Sequence, residues 1–99
     1  MKVTKHAYKR ARKRLGLSKK ALDRHMQKVM NFGIMRKDFE GALRLYLDER
    51  FQAHKDKDGS HAKLRVYGRF LYLFSKKNKL ITIIMIPSKY NKYLDELKA

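Results

Sequence analysis

His6, Arg10 and Arg14 stand four residues apart near the start of this 99-residue chain, so on a helix they share one edge. Histidine is the side chain that gives and takes a proton near neutral pH. An arginine fork holds a phosphate through paired hydrogen bonds and steadies charge growing on it. Metal-free cleavage of RNA needs those parts: one group to take the proton of a ribose 2′-OH, one to protonate the leaving oxygen, and a cation for the phosphorane. The same three residues can equally bind a phosphate without chemistry, or solvate a helix.

A second set lies later in the chain. Lys63, Arg65 and Tyr67 alternate with Leu64 and Val66, so on a strand they point one way, with Arg69 at the following turn. Basic and aromatic residues interleaved on a sheet can track phosphates and stack a base. Lys76 and Lys77 extend the basic track. Ordinary cross-strand packing of Tyr67 and Tyr72 is the competing account.

The charge gives both sets a common partner. The chain carries 26 Lys and Arg against 9 Asp and Glu, a net charge of +17. Nine bases fall within residues 2–20: Lys2, Lys5, Lys9, Arg10, Arg12, Lys13, Arg14, Lys19 and Lys20. The first acid is Asp23. A helix so charged is an electrostatic footprint for phosphates, since a solvated face usually mixes signs. Lys5, Lys9, Arg12, Lys13, Lys19, Lys20, Lys63, Tyr67, Arg69, Lys76 and Lys77 are the expected nucleic-acid contacts. His6, Arg10 and Arg14 are the candidate catalytic residues that helical spacing offers.

Hydropathy patterning supplies the elements that must position them. Thr4 caps a first helix with Ala7, Ala11 and Leu15 as its apolar stripe, and Gly16 closes it. Ser18 caps a second helix through Phe32, striped by Leu22, Met26, Val29 and Met30. Asp38 is the expected cap of a third helix through about Phe51, with Phe39, Ala42, Leu43, Tyr46 and Leu47 on one face. His54–Ser60 is polar and holds an Asp58-Gly59 turn. The period then changes to two. Strands are expected over 61–68, over 70–75 with Phe70, Tyr72 and Phe74 opposite Leu71 and Leu73, and over 80–86. The last is apolar on both faces, as in a covered central strand. Gly68-Arg69 and Lys76–Lys79 are the turns. Ser88–Lys98, with Tyr90, Tyr93, Leu94 and Leu97, reads as a short helix. The expected fold is a single α+β domain, with N-terminal helices on one face of a three-stranded antiparallel sheet and a short C-terminal helix.

Several classes drop out. Without cysteine there is no disulfide, thiolate metal site or Cys nucleophile. The segment from Asp56 has its glycine misplaced and Tyr67 where a calcium loop needs Glu. His6, His25, His54 and His61 lack zinc spacing. No phosphate-cradling glycine loop is present, and no cofactor or metal is called for. No apolar segment follows the first lysines, and Leu80–Pro87 is too short to span a bilayer. A cytoplasmic protein without a membrane partner is expected.

Thr4-Lys5-His6-Ala7 with Arg10, Arg14, Leu15 and Gly16 resembles the opening of small phage and plasmid proteins that begin T-K-H-A-x-x-R-x-x-x-R-x-G. Val66-Tyr67-Gly68 and Leu80-Ile81-Thr82-Ile83 with Ile86-Pro87 resemble their closing segments. These proteins are similar in plan to the RelE and BrnT toxin group, whose barnase-like fold puts N-terminal helices before an antiparallel sheet. The resemblance implies metal-independent RNA cleavage, with His6, Arg10 and Arg14 matched by motif and Arg65, Tyr72 and Thr82 by strand position. It also implies an acidic protein partner of the antitoxin kind. The competing expectations are a non-enzymatic, phage-encoded inhibitor binding a ribonucleoprotein such as a CRISPR effector, and a DNA-binding helix pair.

Overall fold

The computed structural model describes residues 3–58 and 61–96, with backbone alone over 54–58, 61 and 62. Helix α1 (Lys5–Leu15) begins where expected. The Thr4 hydroxyl accepts the Ala7 amide proton at 3.1 Å, and Gly16 closes the helix at φ 65°. That left-handed conformation suits glycine because it has no Cβ. Helix α2 (Lys19–Phe32) starts on Ser18, whose Oγ accepts from the Ala21 amide.

Four strands follow in one antiparallel sheet: β1 (Ile34–Met35), β2 (His61–Tyr67), β3 (Phe70–Ser75) and β4 (Leu80–Met85), in the spatial order β1-β2-β3-β4. A 3₁₀ turn over Arg36–Asp38 and helix α3 (Gly41–Asp58) separate β1 from β2, and helix α4 (Asn91–Glu96) ends the described chain. The architecture is therefore α+β, with one strand more than expected. β1 was missed because two residues carry no periodicity. Leu97 and Lys98 of the expected last helix, and Gly59 of the expected Asp58-Gly59 turn, lie outside the described residues.

Helices cover both faces of the sheet, not one. Tyr72, Phe74, Leu80 and Ile83 pack under Ala7, Ala11, Leu22, Met26 and Val29 of α1 and α2. Leu64, Val66, Leu71, Leu73 and Ile86 pack under Phe39, Leu43 and Leu47, with Leu94 of α4. The reason is β3. Its alternate residues are apolar on each side, and burying each large side chain contributes about 1.5–3 kcal/mol. Neither face can be left wet, so the sheet needs two helical layers.

Two further expectations are corrected. β4 is an edge strand, not a central one. Its two apolar faces are explained by the two helical layers, and its open edge is guarded by α1. The Thr4 amide donates to Leu80 O at 3.0 Å, the Thr4 hydroxyl donates to Ile81 O at 3.1 Å, and Arg14 reaches Ile83 O at 3.5 Å. Unpaired edge groups invite strand addition, and such cover blocks it. Asp38 does not cap α3. It lies in the 3₁₀ turn, and the helix starts at Gly41 with φ 68°. That conformation favours glycine, and a Cβ there would also sit tightly, 3.3 Å from the Tyr93 ring. α3 also runs beyond Phe51 to Asp58, with Ala42 exposed beside buried Leu43.

Candidate nucleic-acid interface

The two helical layers differ in charge. Residues 5–32, which hold α1 and α2, contain ten Lys and Arg against one acid, Asp23. Residues 36–58, which hold α3, contain six of each sign, and residues 88–96 two of each. Every acid except Asp23 thus belongs to the far layer. There the charges pair. Arg36 Nη1 donates to Asp48 Oδ1 at 2.6 Å and Arg44 Nε donates to Asp48 Oδ2 at 3.0 Å. Desolvation pushes the Asp48 carboxyl up, but the donated hydrogen bonds and charges of the two arginines outweigh it and hold it below the usual range. Among the described residues, none of the ten bases on α1 and α2 makes an ion pair with a described acid.

The α1 residues divide between its two flanks. On a 3.6-residue wheel His6, Arg10 and Arg14 lie to one side of buried Ala7 and Ala11, while Tyr8 and Leu15 lie to the other. α1 packs along β4, and His6 is exposed on that flank with Arg10 and Arg14 half-buried beside it. Lys5, Lys9, Lys19 and Lys20 are exposed around a groove of about 670 Å³ between α1 and α2, over a floor that includes Tyr8 and Leu22. Arg12 and Lys13 are exposed on α1.

The candidate catalytic set does not converge. Arg65 and Tyr72 are register partners on β2 and β3, and Tyr72 pairs in turn with Ile83 of β4, where Arg14 reaches the carbonyl. Arg65 is thus two strands from the strand that α1 covers, roughly 10 Å at the usual spacing. Tyr72 is only 1% exposed. Among the basic sheet residues, Lys63 bonds Asn78, and Arg69 leans to the far layer through Asp95 at 3.5 Å. Lys76 and Lys77 are exposed in the β3–β4 turn, at the end of the sheet where α1 begins. Tyr67 is half-buried against the first core, as Tyr8 is, and meets the His25 ring edge-on.

His25 belongs to no motif, yet among the described residues it is the histidine with a side-chain partner. Its Nε2 and the Tyr72 hydroxyl share a hydrogen bond of 2.8 Å, and its ring meets Tyr67 edge-on at 5.5 Å. The signal was its place at i+3 from Leu22 and i−4 from Val29, on the apolar stripe. Burial, aided by the Lys28 charge, pulls the His25 pKa below 6.5. Burial beside Tyr67 raises the Tyr72 hydroxyl. The neutral ring is favoured in the fold, so the unfolded chain takes up this proton first. Stability is then complete above about pH 6.5 and falls as pH drops below it. The melting temperature of the wild type is expected to fall more between pH 7.5 and 5.5 than that of His25→Gln. Parallel curves for the two proteins would remove the assignment.

No three or more metal-ligating side chains gather among the described residues, whose helices are also too short or too polar to cross a membrane. His54 and His61 have side chains outside the described set. No protein-family model, curated protein or solved structure matches the chain.

Proposed function

We propose that this protein binds nucleic acid through the α1–α2 layer, with RNA as the first ligand to test. The observation that carries the reading is the one-sided charge: ten bases against one acid on this layer, and balance on the other. Net charge alone would attract any polyanion. Its confinement to one layer, on folded helices, supports an oriented contact. Binding is put ahead of cleavage, because among the described residues His6 has Arg10 and Arg14 on its flank but no carboxylate or second histidine there. RNA is put ahead of DNA because the opening and closing motifs resemble small phage and plasmid proteins that are similar in plan to RNA-cleaving toxins. A non-enzymatic factor acting on a ribonucleoprotein would use the same layer.

The test compares two triple variants of equal charge change, by fluorescence anisotropy with labelled RNA. Arg10→Gln/Arg12→Gln/Lys13→Gln strips α1, and Arg50→Gln/Lys89→Gln/Lys92→Gln strips the far layer. The first is expected to lower the slope of log affinity against log salt by about 2–3, at about 0.7–0.9 per lost phosphate contact. The second is expected to track the wild type. Equal losses would mean that only total charge matters. Gel analysis of the same RNA in EDTA, with His6→Ala alongside, reads any cleavage.

A further inference from the structure

The four lysines around the α1–α2 groove define a finer feature, and it rests on the nucleic-acid reading above. Lys5 and Lys9 come from consecutive turns of α1, and Lys19 and Lys20 from the first turn of α2. None makes an ion pair with a described acid. One carboxylate, the engaged Asp23, also lines the hollow, so the four ammonium groups outnumber it and repel one another, and an anion between them relieves that repulsion. The hollow is not merely charged. Leu22 is buried in its floor and Tyr8 lines it, half-buried. Its volume of about 670 Å³ lies in the range of sites that enclose small organic ligands, about 300–1,000 Å³.

We infer that this groove is a nucleotide site for single-stranded nucleic acid, with the backbone phosphates between the lysine pairs and a base against Tyr8. Three features select that occupant. Lysine holds phosphate as a point charge and needs no fixed fork geometry, which suits a flexible strand. Successive turns of one helix place Lys5 and Lys9 about 5–6 Å apart, so adjacent phosphates can be engaged together. An aromatic ring within a concave wall can stack on a base only when the base is out of a duplex. A double helix can meet Arg12 and Lys13 on the outer surface of α1, but it keeps its base faces hidden from Tyr8.

The experiment uses a labelled RNA octamer, single-stranded or annealed to its complement, with the full-length protein. The wild type is expected to bind the single strand more tightly than the duplex. Lys9→Gln/Lys20→Gln is expected to lower the single-strand salt slope by about 1.4, at about 0.7 per phosphate. Tyr8→Leu is expected to weaken the single strand about 10-fold and leave the slope unchanged, since it removes stacking and no charge. The lysine pair is exposed, so that arm stands even if Tyr8→Leu unfolds.

Wild-type affinity and slope in the lysine variant would overturn the groove while leaving the polyanion-binding layer in place. Equal wild-type affinity for duplex and single strand would overturn the strand preference. So would polyglutamate of matched charge competing as well as the octamer, because that partner carries no base. Failure of the wild type to bind any nucleic acid would remove both this site and the reading on which it rests.

Discussion

Raising salt from 50 to 200 mM is expected to weaken RNA binding by about 300-fold for a single strand and about 10³-fold for a duplex, with six phosphates contacted. Displacement of counterions sets that steepness, and the supply of unpaired bases determines whether the protein can reach it. The ten bases of residues 5–32 are enough for six contacts even if several point away from the ligand. The far layer cannot contribute equally, because its bases are matched by acids and Arg36 and Arg44 already hold Asp48. A titration of affinity against salt checks this directly. A shallow line, with less than tenfold change over the same interval, would mean that hydrophobic or hydrogen-bond contacts dominate and that the charged layer has another purpose.

Tyr72→Ala is expected to cost about 3–5 kcal/mol, the range for removing a large buried aromatic. Native domains have only about 5–15 kcal/mol in total, so this substitution alone can unfold a large share of the molecules at physiological temperature. The ring lies at the centre of the sheet face covered by α1 and α2, and its hydroxyl is held by His25. Tyr72→Phe keeps the packing and loses only the hydrogen bond, so about 1–2 kcal/mol is expected. Urea unfolding of both variants separates the two contributions. If Tyr72→Phe costs as much as Tyr72→Ala, the polar pair and not the ring volume dominates this part of the core. Because Tyr72 is so central, loss of RNA binding in either variant has to be read beside its stability.

The local elements were legible because their signals are local. Thr4, Gly16 and Ser18 mark ends by hydrogen bonds and backbone angles that the residue types themselves select. The opposite faces of β3 follow from the alternation of Phe70, Tyr72 and Phe74 with Leu71 and Leu73. What failed was arrangement. The apolar stretch Leu80–Ile86 reads as central because both its faces are buried, yet facial burial and edge pairing are independent properties of a strand. The start of α3 was misread because an acidic residue suits both a helix cap and a 3₁₀ turn, and only Gly41 against Tyr93 decides between them.

The candidate site was legible in the same partial way. The basic opening of the chain is plain, and the flank carrying His6, Arg10 and Arg14 follows from helical spacing. The groove needed tertiary structure, since Lys19 and Lys20 meet Lys5 and Lys9 only when α1 and α2 pack. Tyr72 was a candidate for chemistry by strand parity, but parity does not reveal that α2 lies above it with His25 on its hydroxyl.

The contacts by which α1 guards the edge of β4 also bear on how the chain folds. Thr4 and Ile81 are 77 residues apart in sequence, and Arg14 and Ile83 are 69 apart. Contacts of such separation close late, because nearly the whole chain must be ordered before they form. On a ribosome α1 is made before β4, so its edge contacts wait until that strand has followed. Until then the charge of α1 has no fixed place on the sheet, and the arrival of β4 is what sets its position.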